Sequence, residues 1–212
     1  MAGFVDAAGF VALFGLFTSH VTGNFVLIGA ELVSTSSGVI AKLLALPAFV
    51  LAVAATRLIA LALERRGIAP LRRLLALQAV LLALFCIAGL ALAPLRSADG
   101  PDAILVGMLG VAAMGVQNAI ARLALAHLAA TTVMTVNVTQ AVIDAVDLLR
   151  LGKARAGAAR GRLGRMLPAV AAFAAGAIAG AFGVAHLSFG CLILPIAVLA
   201  GLIALPERAD AP

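Results

Sequence analysis

Long apolar runs separated by short polar breaks are the feature that most restricts the fold of this sequence. In lipid, only helices and closed barrels satisfy the hydrogen-bonding groups of the backbone. The runs lack the alternation at every second residue that barrel strands require, so we predict that all of them are helical. They cover residues 3–17, 21–33, 39–63, 74–93, 103–129, 133–149, 166–184 and 187–205.

Composition places these helices in a membrane. Hydrophobic residues make up 64% of the 212 residues, charged residues make up 11%, and the mean hydropathy is +1.18. A soluble domain carries about 25% charged residues, so this chain could not cover its surface with polar atoms in water. With about 20 residues for each crossing there is room for about six to eight spans. We predict an all-α integral membrane protein without an extramembrane domain, and its main partner is the lipid bilayer.

Several function classes are not indicated by the sequence. The net charge of +6 comes mostly from two short basic loops, which membrane topology alone requires, so nucleic-acid binding is not predicted. Cys86 and Cys191 lie inside apolar runs, where a cysteine behaves as a small hydrophobic residue. The usual catalytic and metal-binding motifs are missing. We therefore predict no enzyme activity, no cofactor and no metal, although a lipid-modifying enzyme with scattered residues stays an alternative.

An internal repeat is the most informative pattern. Residues 18–24 and residues 131–137 share the motif T-[ST]-x-x-T-x-N. Three further matches occur in the same order: Gly3–Ala7 with Gly115–Ala119, Glu31 with Asp144, and Leu46-Pro47-Ala48 with Leu167-Pro168-Ala169. Such self-similarity indicates duplicated architecture. We predict one membrane domain made of two repeats, residues 1–95 and residues 96–212.

Charge predicts the orientation of the two repeats. Basic loops face the cytoplasm, which places residues 64–73 and 150–165 inside and the loop with Asp99 and Asp102 outside. An odd number of crossings must then connect the outer loop to Arg150, so one of the two runs between them does not cross. Residues 133–149 are the candidate. The prediction is six transmembrane helices in two inverted three-helix repeats, each with one broken or re-entrant element. If all eight runs cross, the second basic loop lies outside.

Polar residues inside the apolar runs are the candidates for a solute or ion site. An ionisable group in mid-membrane costs about 2.5–3.5 kcal/mol and is normally paired, hydrated or functional. A break at the T-x-x-T-x-N segments would expose backbone groups that can bind a solute. The alternative is that these side chains only form hydrogen bonds between helices. The candidates are Asp6, His20, Thr22, Asn24, Glu31, Arg57, Asn118, Thr135, Asn137 and Asp144.

Some of these residues also have a simpler interpretation. Asp6 could lie at an interfacial chain start, and His20 could be an interfacial residue at a helix end. Arg57 could extend its side chain to the cytoplasmic surface; otherwise it needs a carboxylate, for which Asp6 and Glu31 are the candidates. We expect Thr22, Asn24, Thr135 and Asn137 to face one shared cavity.

Two segments resemble a known family. Residues 2–24, with A-G-F-V-D-A and F-T-S-H-V-T-G-N, and residues 114–119, with M-G-V-Q-N-A followed by Arg122, are similar to the hallmarks of the YoaK-like family. Its members are bacterial inner-membrane proteins grouped as a domain of unknown function. The resemblance covers nearly the whole chain and implies a multi-pass protein of the bacterial inner membrane. It implies no biochemical activity. The second repeat departs from the first at Val136, where the first has Gly23.

The predicted function is a secondary transporter or channel for a small solute or ion, with its site at the interface of the repeats. The alternative from another class is a structural or regulatory membrane protein that binds a partner through a glycine-rich helix face. Gly176, Gly180 and Gly183 form such a face. It allows close helix contact within one chain or in a homodimer.

Overall fold

The computed structural model describes residues 1–34, 38–125, 134–150 and 153–205, and every regular element within these ranges is a helix. The all-α prediction is therefore confirmed for this part of the chain. The α-helices are α1 (Ala2–Ala12), α2 (Gly23–Ser34), α3 (Val39–Glu64), α4 (Leu71–Leu92), α5 (Pro101–Leu123), α6 (Met134–Arg150), α7 (Lys153–Leu187) and α8 (Ile193–Ala204), with a 3₁₀ turn (Ser188–Leu192) between the last two.

Four helical stretches in the described ranges are long and apolar enough to cross a membrane. They are Val39–Glu64, Leu71–Leu92, Pro101–Leu123 and Gly157–Ala204. The chain reverses inside the last stretch, because Ala175 and Ala179 of α7 line a cleft together with Leu194 and Val198 of α8. Helices α1, α2 and α6, with 11, 12 and 17 residues, are shorter than the roughly 20 residues of a full crossing.

Three helix packings organise the bundle. Helix α1 packs along α7, and α5 packs along both α3 and α4. The short helices attach to the long ones, α2 to α3 and α6 to α7. Helix α5 is the most buried of the four spanning stretches, and its Met114 lies in the main apolar core together with Leu82 and Phe85 of α4.

Glycines bring the backbones of α1 and α7 together. A Cβ atom on Gly180 would overlap the carbonyl oxygen of Phe4, and one on Gly3 would overlap that of Phe173. Gly176 also faces the backbone of Phe4. The small-residue face of α7 is therefore occupied by α1 of the same chain, which is one of the two contacts that the sequence predicts. A homodimer through the same glycines stays a prediction, and α1 would have to leave that face.

The first predicted helix is shorter than its apolar run. Residues 3–17 were expected to form one helix, but α1 ends at Ala12 and α2 begins at Gly23. Phe14 and Gly15 have φ angles of 55° and 81°, a left-handed conformation that a right-handed helix cannot contain. Residues 13–22 form an unwound segment instead. Its Leu16 is buried and packs against Gly107 of α5, where a Cβ atom would lie 2.6 Å from Leu16 Cδ2.

Candidate functional site

Asp6 of α1 holds the beginning of the T-S-H-V-T-G-N motif. Its Oδ1 accepts the backbone N–H groups of Thr18 at 2.8 Å and Ser19 at 2.7 Å, and also the Thr18 hydroxyl at 3.3 Å. Its Oδ2 lies 3.3 Å from Nδ1 of His20. Asp6 is only 4% exposed, so these donors replace the water that a buried carboxylate loses. The carboxylate thereby satisfies backbone groups that have no helical partner.

Asn24 holds the other half of the motif. Its Oδ1 accepts the backbone N–H of Phe17 at 2.9 Å, and its Nδ2 donates to the Phe17 carbonyl at 2.9 Å. Both functional atoms of the buried amide are thus used on the backbone of one residue, Phe17, of the unwound segment. Asp6 and Asn24 together keep residues 13–22 in a defined conformation between α1 and α2.

A cleft of about 430 Å³ opens between α1 and α7 beside this segment. Asp6 and His20 provide its polar groups, and the remaining lining is aromatic or aliphatic. The His20 ring lies 6.0 Å from the Phe17 ring and 6.4 Å from the Phe173 ring, measured between centroids. Because Nδ1 of His20 faces Asp6, Nε2 is the nitrogen that a bound molecule could contact. The full lining is Gly3, Asp6, Ala7, Phe10, Val11, Phe17, His20, Phe173, Ala177 and Ala181.

A second cleft, of about 360 Å³, opens between α3 and α5. Its polar residues are Arg57, Asn118 and Arg122, and its apolar residues are Phe49, Val53, Ala119 and Leu123. Of the two interpretations of Arg57, pairing with Asp6 or Glu31 is not what the structure shows. Arg57 Nη1 lies 3.3 Å from Glu64 Oε1 near the end of α3, with both side chains 45% exposed. Asp6 and Glu31 have other partners, so Arg57 instead extends along its own helix toward the loop of residues 64–73.

Glu31 forms a buried ion pair that the sequence did not indicate. Its Oε1 accepts a 2.6 Å hydrogen bond from Nζ of Lys42, which also donates to the Phe14 carbonyl at 3.2 Å. The Lys42 side chain is 1% exposed. The sequence carries one signal for this pair: Lys42 is an isolated lysine in an apolar run, and a charge in such a run needs a partner. The pair joins α2 to α3 and also reaches the unwound segment.

Asp144 forms the corresponding pair between α6 and α7. The Arg162 guanidinium donates from Nε and Nη2 to the carboxylate at 2.6–3.1 Å, and Gln140 Nε2 donates to Asp144 Oδ1 at 3.0 Å. Asp144 has no exposed surface, so it is a helix-packing residue within the described ranges. The sequence indicates Arg162 only as one of the basic residues of the segment 150–165.

The other candidate residues lie outside the two clefts. Thr22 and Thr135 are exposed, and Asn137 is buried on α6. Neither cleft is lined by these three residues or by Asn24. Residues 131–133 of the second motif lie outside the described residues. Convergence of the two T-x-x-T-x-N segments on one cavity stays a prediction.

Comparisons with known proteins give one family. A family model described as "Protein of unknown function (DUF1275)" matches residues 1–205. This match agrees with the resemblance to the YoaK-like family. A search of curated proteins and a search of solved structures each returned no match.

Proposed function

The chain belongs to the DUF1275 family of proteins of unknown function, and from this premise we propose that it is a secondary transporter or channel for a small solute. The observation that carries the proposal is the unwound segment of residues 13–22, which Asp6 and Asn24 hold beside the α1–α7 cleft. Discontinuous helices form the substrate sites of many secondary transporters, because their backbone breaks supply polar groups within the bilayer.

The lining of this cleft indicates the class of solute. Three aromatic rings, from Phe10, Phe17 and Phe173, surround a single hydrogen-bonding corner made by Asp6 and His20. A mostly apolar pocket with few placed polar groups selects a small molecule by shape and orients it by one or two hydrogen bonds. The solute therefore has a flat or apolar body and a polar atom that meets Nε2 of His20. Nucleobases and small aromatic acids have this character.

The architecture proposed for transport is two inverted three-span repeats. Equivalent helices make equivalent packings, α1 on α7 in one case and α5 on α3 in the other. Both clefts lie at these contacts and use the same four positions of the first helix in each repeat. These are Asp6, Ala7, Phe10 and Val11 in one cleft, and Asn118, Ala119, Arg122 and Leu123 in the other.

The short helices support the same arrangement. Helices α2 and α6 each bury an asparagine and, four positions later, an apolar residue. Seven positions after the asparagine, each has a carboxylate that pairs with a cation of the next helix. The sets are Asn24, Ile28 and Glu31 with Lys42, and Asn137, Ala141 and Asp144 with Arg162. Inversion would place the two ion pairs on opposite sides of the membrane. The basic segments of residues 64–73 and 150–165, the second of which lies mostly in the first turns of α7, would both be on the cytoplasmic side of the bacterial inner membrane.

A ligand screen tests the proposed function. The protein, purified in detergent, is heated with inorganic ions, organic acids and nucleobases, and a ligand of the native state raises the melting temperature by mass action. Compounds that stabilise it are then tested for flux into proteoliposomes. We expect His20→Ala to remove both the stabilisation and the flux.

His186→Ala is the matched control, because His186 is exposed and stacks on Phe182, away from the cleft. It should respond to the solute as the wild type does. Flux that is lost equally in both variants, or stabilisation that His20→Ala leaves unchanged, would remove the α1–α7 cleft as the solute site. Stabilisation without flux would contradict transport.

A further inference from the structure

The α3–α5 cleft contains positive charge that the proposed solute site does not use. Arg122 forms no ion pair with any residue of the described ranges, and Arg57 meets only the exposed carboxylate of Glu64. Two guanidinium groups and one nearby carboxylate leave this end of the cleft positive. A guanidinium binds phosphate through charge-assisted and often bidentate hydrogen bonds.

The rest of the cleft is apolar and opens on the lipid-facing surface. Phe49, Val53 and Leu123 are partly exposed within it. On the same helix, Leu51 and Leu58 are 69% and 68% exposed, which in a membrane protein is a surface that acyl chains cover. A molecule in this cleft would meet two arginines at its polar end and hydrocarbon side chains along its length.

The arginine end lies at the level where lipid headgroups are expected. Arg57 reaches toward Glu64, the last residue of α3, and Arg65 and Arg66 follow immediately. Basic loops of this kind flank the cytoplasmic surface, where anionic lipids attract arginine and lysine. The charged end of the cleft and its apolar end thus match the order of headgroup and acyl chain in one leaflet.

We propose that the α3–α5 cleft binds an anionic phospholipid, with its phosphate on Arg57 and Arg122 and an acyl chain along Phe49 and Val53. Asn118 lies in the same cleft and donates its Nδ2 to the Met114 carbonyl at 2.9 Å. Its Oδ1 faces no donor in the described ranges and can accept from a headgroup hydroxyl. This site is separate from the solute cleft, so either proposal can fail without the other.

Binding is measured by native mass spectrometry and by melting temperature in an uncharged detergent. Phosphatidylglycerol is compared with phosphatidylcholine carrying the same acyl chains, and with glycerol phosphate as the headgroup alone. We expect phosphatidylglycerol to bind and to raise the melting temperature, and the other two to have little effect. The double variant Arg57→Gln/Arg122→Gln should bind it about thirtyfold more weakly, which corresponds to about 1 kcal/mol for each lost charge.

Arg73→Gln is the control for net charge, because Arg73 is an exposed arginine on the neighbouring helix α4. It should retain wild-type binding, and Val53→Trp, which fills the apolar part, should weaken it. Equal binding of phosphatidylcholine would overturn the proposal, as would undiminished binding by the double variant or an equal loss in Arg73→Gln. Stabilisation by glycerol phosphate alone would identify a free phosphate ester as the occupant and overturn the lipid assignment.

Discussion

Asn24 and Phe17 are joined by two hydrogen bonds of 2.9 Å each, one in each direction between the side-chain amide and the backbone. The side-chain amide therefore pairs with the N–H and the C=O of Phe17 as a neighbouring backbone segment would. Asn24 acts on the shape of the site, because neither of its polar atoms is directed into the adjacent cleft. A substitution at Asn24 is therefore expected to act on the conformation of residues 13–22 and not on a direct contact with the solute.

Asn24→Ala should lower the stability of the protein as well as solute binding. It leaves the partly buried N–H and C=O of Phe17 without these partners, and an unpaired buried group costs up to about 1–3 kcal/mol. The measurement is the melting temperature in detergent, without added solute. Asn118→Ala is the matched control, since Asn118 donates only to the carbonyl four residues earlier on its own helix, and it should melt close to the wild type. An unchanged melting temperature for Asn24→Ala would contradict the structural role.

Asp6 should show a graded response to substitution. Asp6→Ala leaves the N–H groups of Thr18 and Ser19 unpaired, whereas Asp6→Asn keeps one carbonyl oxygen to accept them. We expect Asp6→Ala to lose at least about 3 kcal/mol of stability or to fail to fold, and Asp6→Asn to lose less. Unfolding of the purified variants in denaturing detergent measures the order. Equal losses would mean that accepting the two N–H groups is not the role of Asp6.

The sequence was sufficient to predict that the apolar runs are mostly helical and that a basic break follows α3, but the second predicted break, residues 150–165, lies mostly within helix α7 (Lys153–Leu187). Asp6 and Asn24 were also singled out as polar positions. The sequence could not predict their contacts, because Asp6 meets residues 18–20 only after Phe14 and Gly15 turn the chain back. That turn interrupts a continuous apolar run, and hydropathy alone carries no signal for it.

Partner choice was the second gap in the sequence-based prediction. The sequence indicates that Arg57 needs a carboxylate and offers Glu31 and Asp144 as solute-site candidates. The partners found for these three residues, Glu64, Lys42 and Arg162, depend on helix packing. Arg162 stands among the basic residues of segment 150–165, whose positive charge the predicted topology already explains, so the sequence does not single it out as a partner of Asp144. Lys42 follows the beginning of α3 by only three residues, where a lysine is usually interpreted as solvated.

The Glu31–Lys42 pair should behave as a buried unit. Removing one partner of a buried pair costs about 3–5 kcal/mol, because the remaining charge is left uncompensated, while removing both can be nearly neutral. We expect Lys42→Met alone to be strongly destabilising and Glu31→Gln/Lys42→Met to recover much of the loss. A double-mutant cycle on the melting temperature provides the test. Additive losses would show that the two side chains are not coupled.

Gly180 should not tolerate a side chain. A methyl group there would overlap the backbone of Phe4, and backbone cannot move aside as a side chain can, so Gly180→Ala should cost about 1–3 kcal/mol. Gly201→Ala is the matched control, because nothing lies within 4 Å of its Cβ position, and it should gain up to about 1 kcal/mol in helix propensity. Gel filtration in detergent measures the oligomeric state, and so distinguishes a loss of stability within the monomer of Gly180→Ala from the loss of a dimer. If Gly180→Ala changes only the oligomeric state, the glycine face serves a homodimer.

Cysteine accessibility in intact cells tests the inverted topology. In a variant without Cys86 and Cys191, single cysteines are placed at Ala69 and Gly161, which are exposed positions in the two basic segments. Both should resist an impermeant thiol reagent until the membrane is permeabilised, because the positive-inside rule places both segments in the cytoplasm.

Ser97→Cys gives the positive control for that experiment. Ser97 is exposed in the break between α4 and α5, one crossing away from Ala69, so its cysteine should react in intact cells. Labelling at Gly161 but not at Ala69 would require an even number of crossings between the outer loop and α7. The two repeats would then be parallel, and the equivalent ion pairs of Glu31 and Asp144 would lie on the same side of the membrane. Protection at both positions, together with reaction at Ser97, requires the odd number that inversion demands.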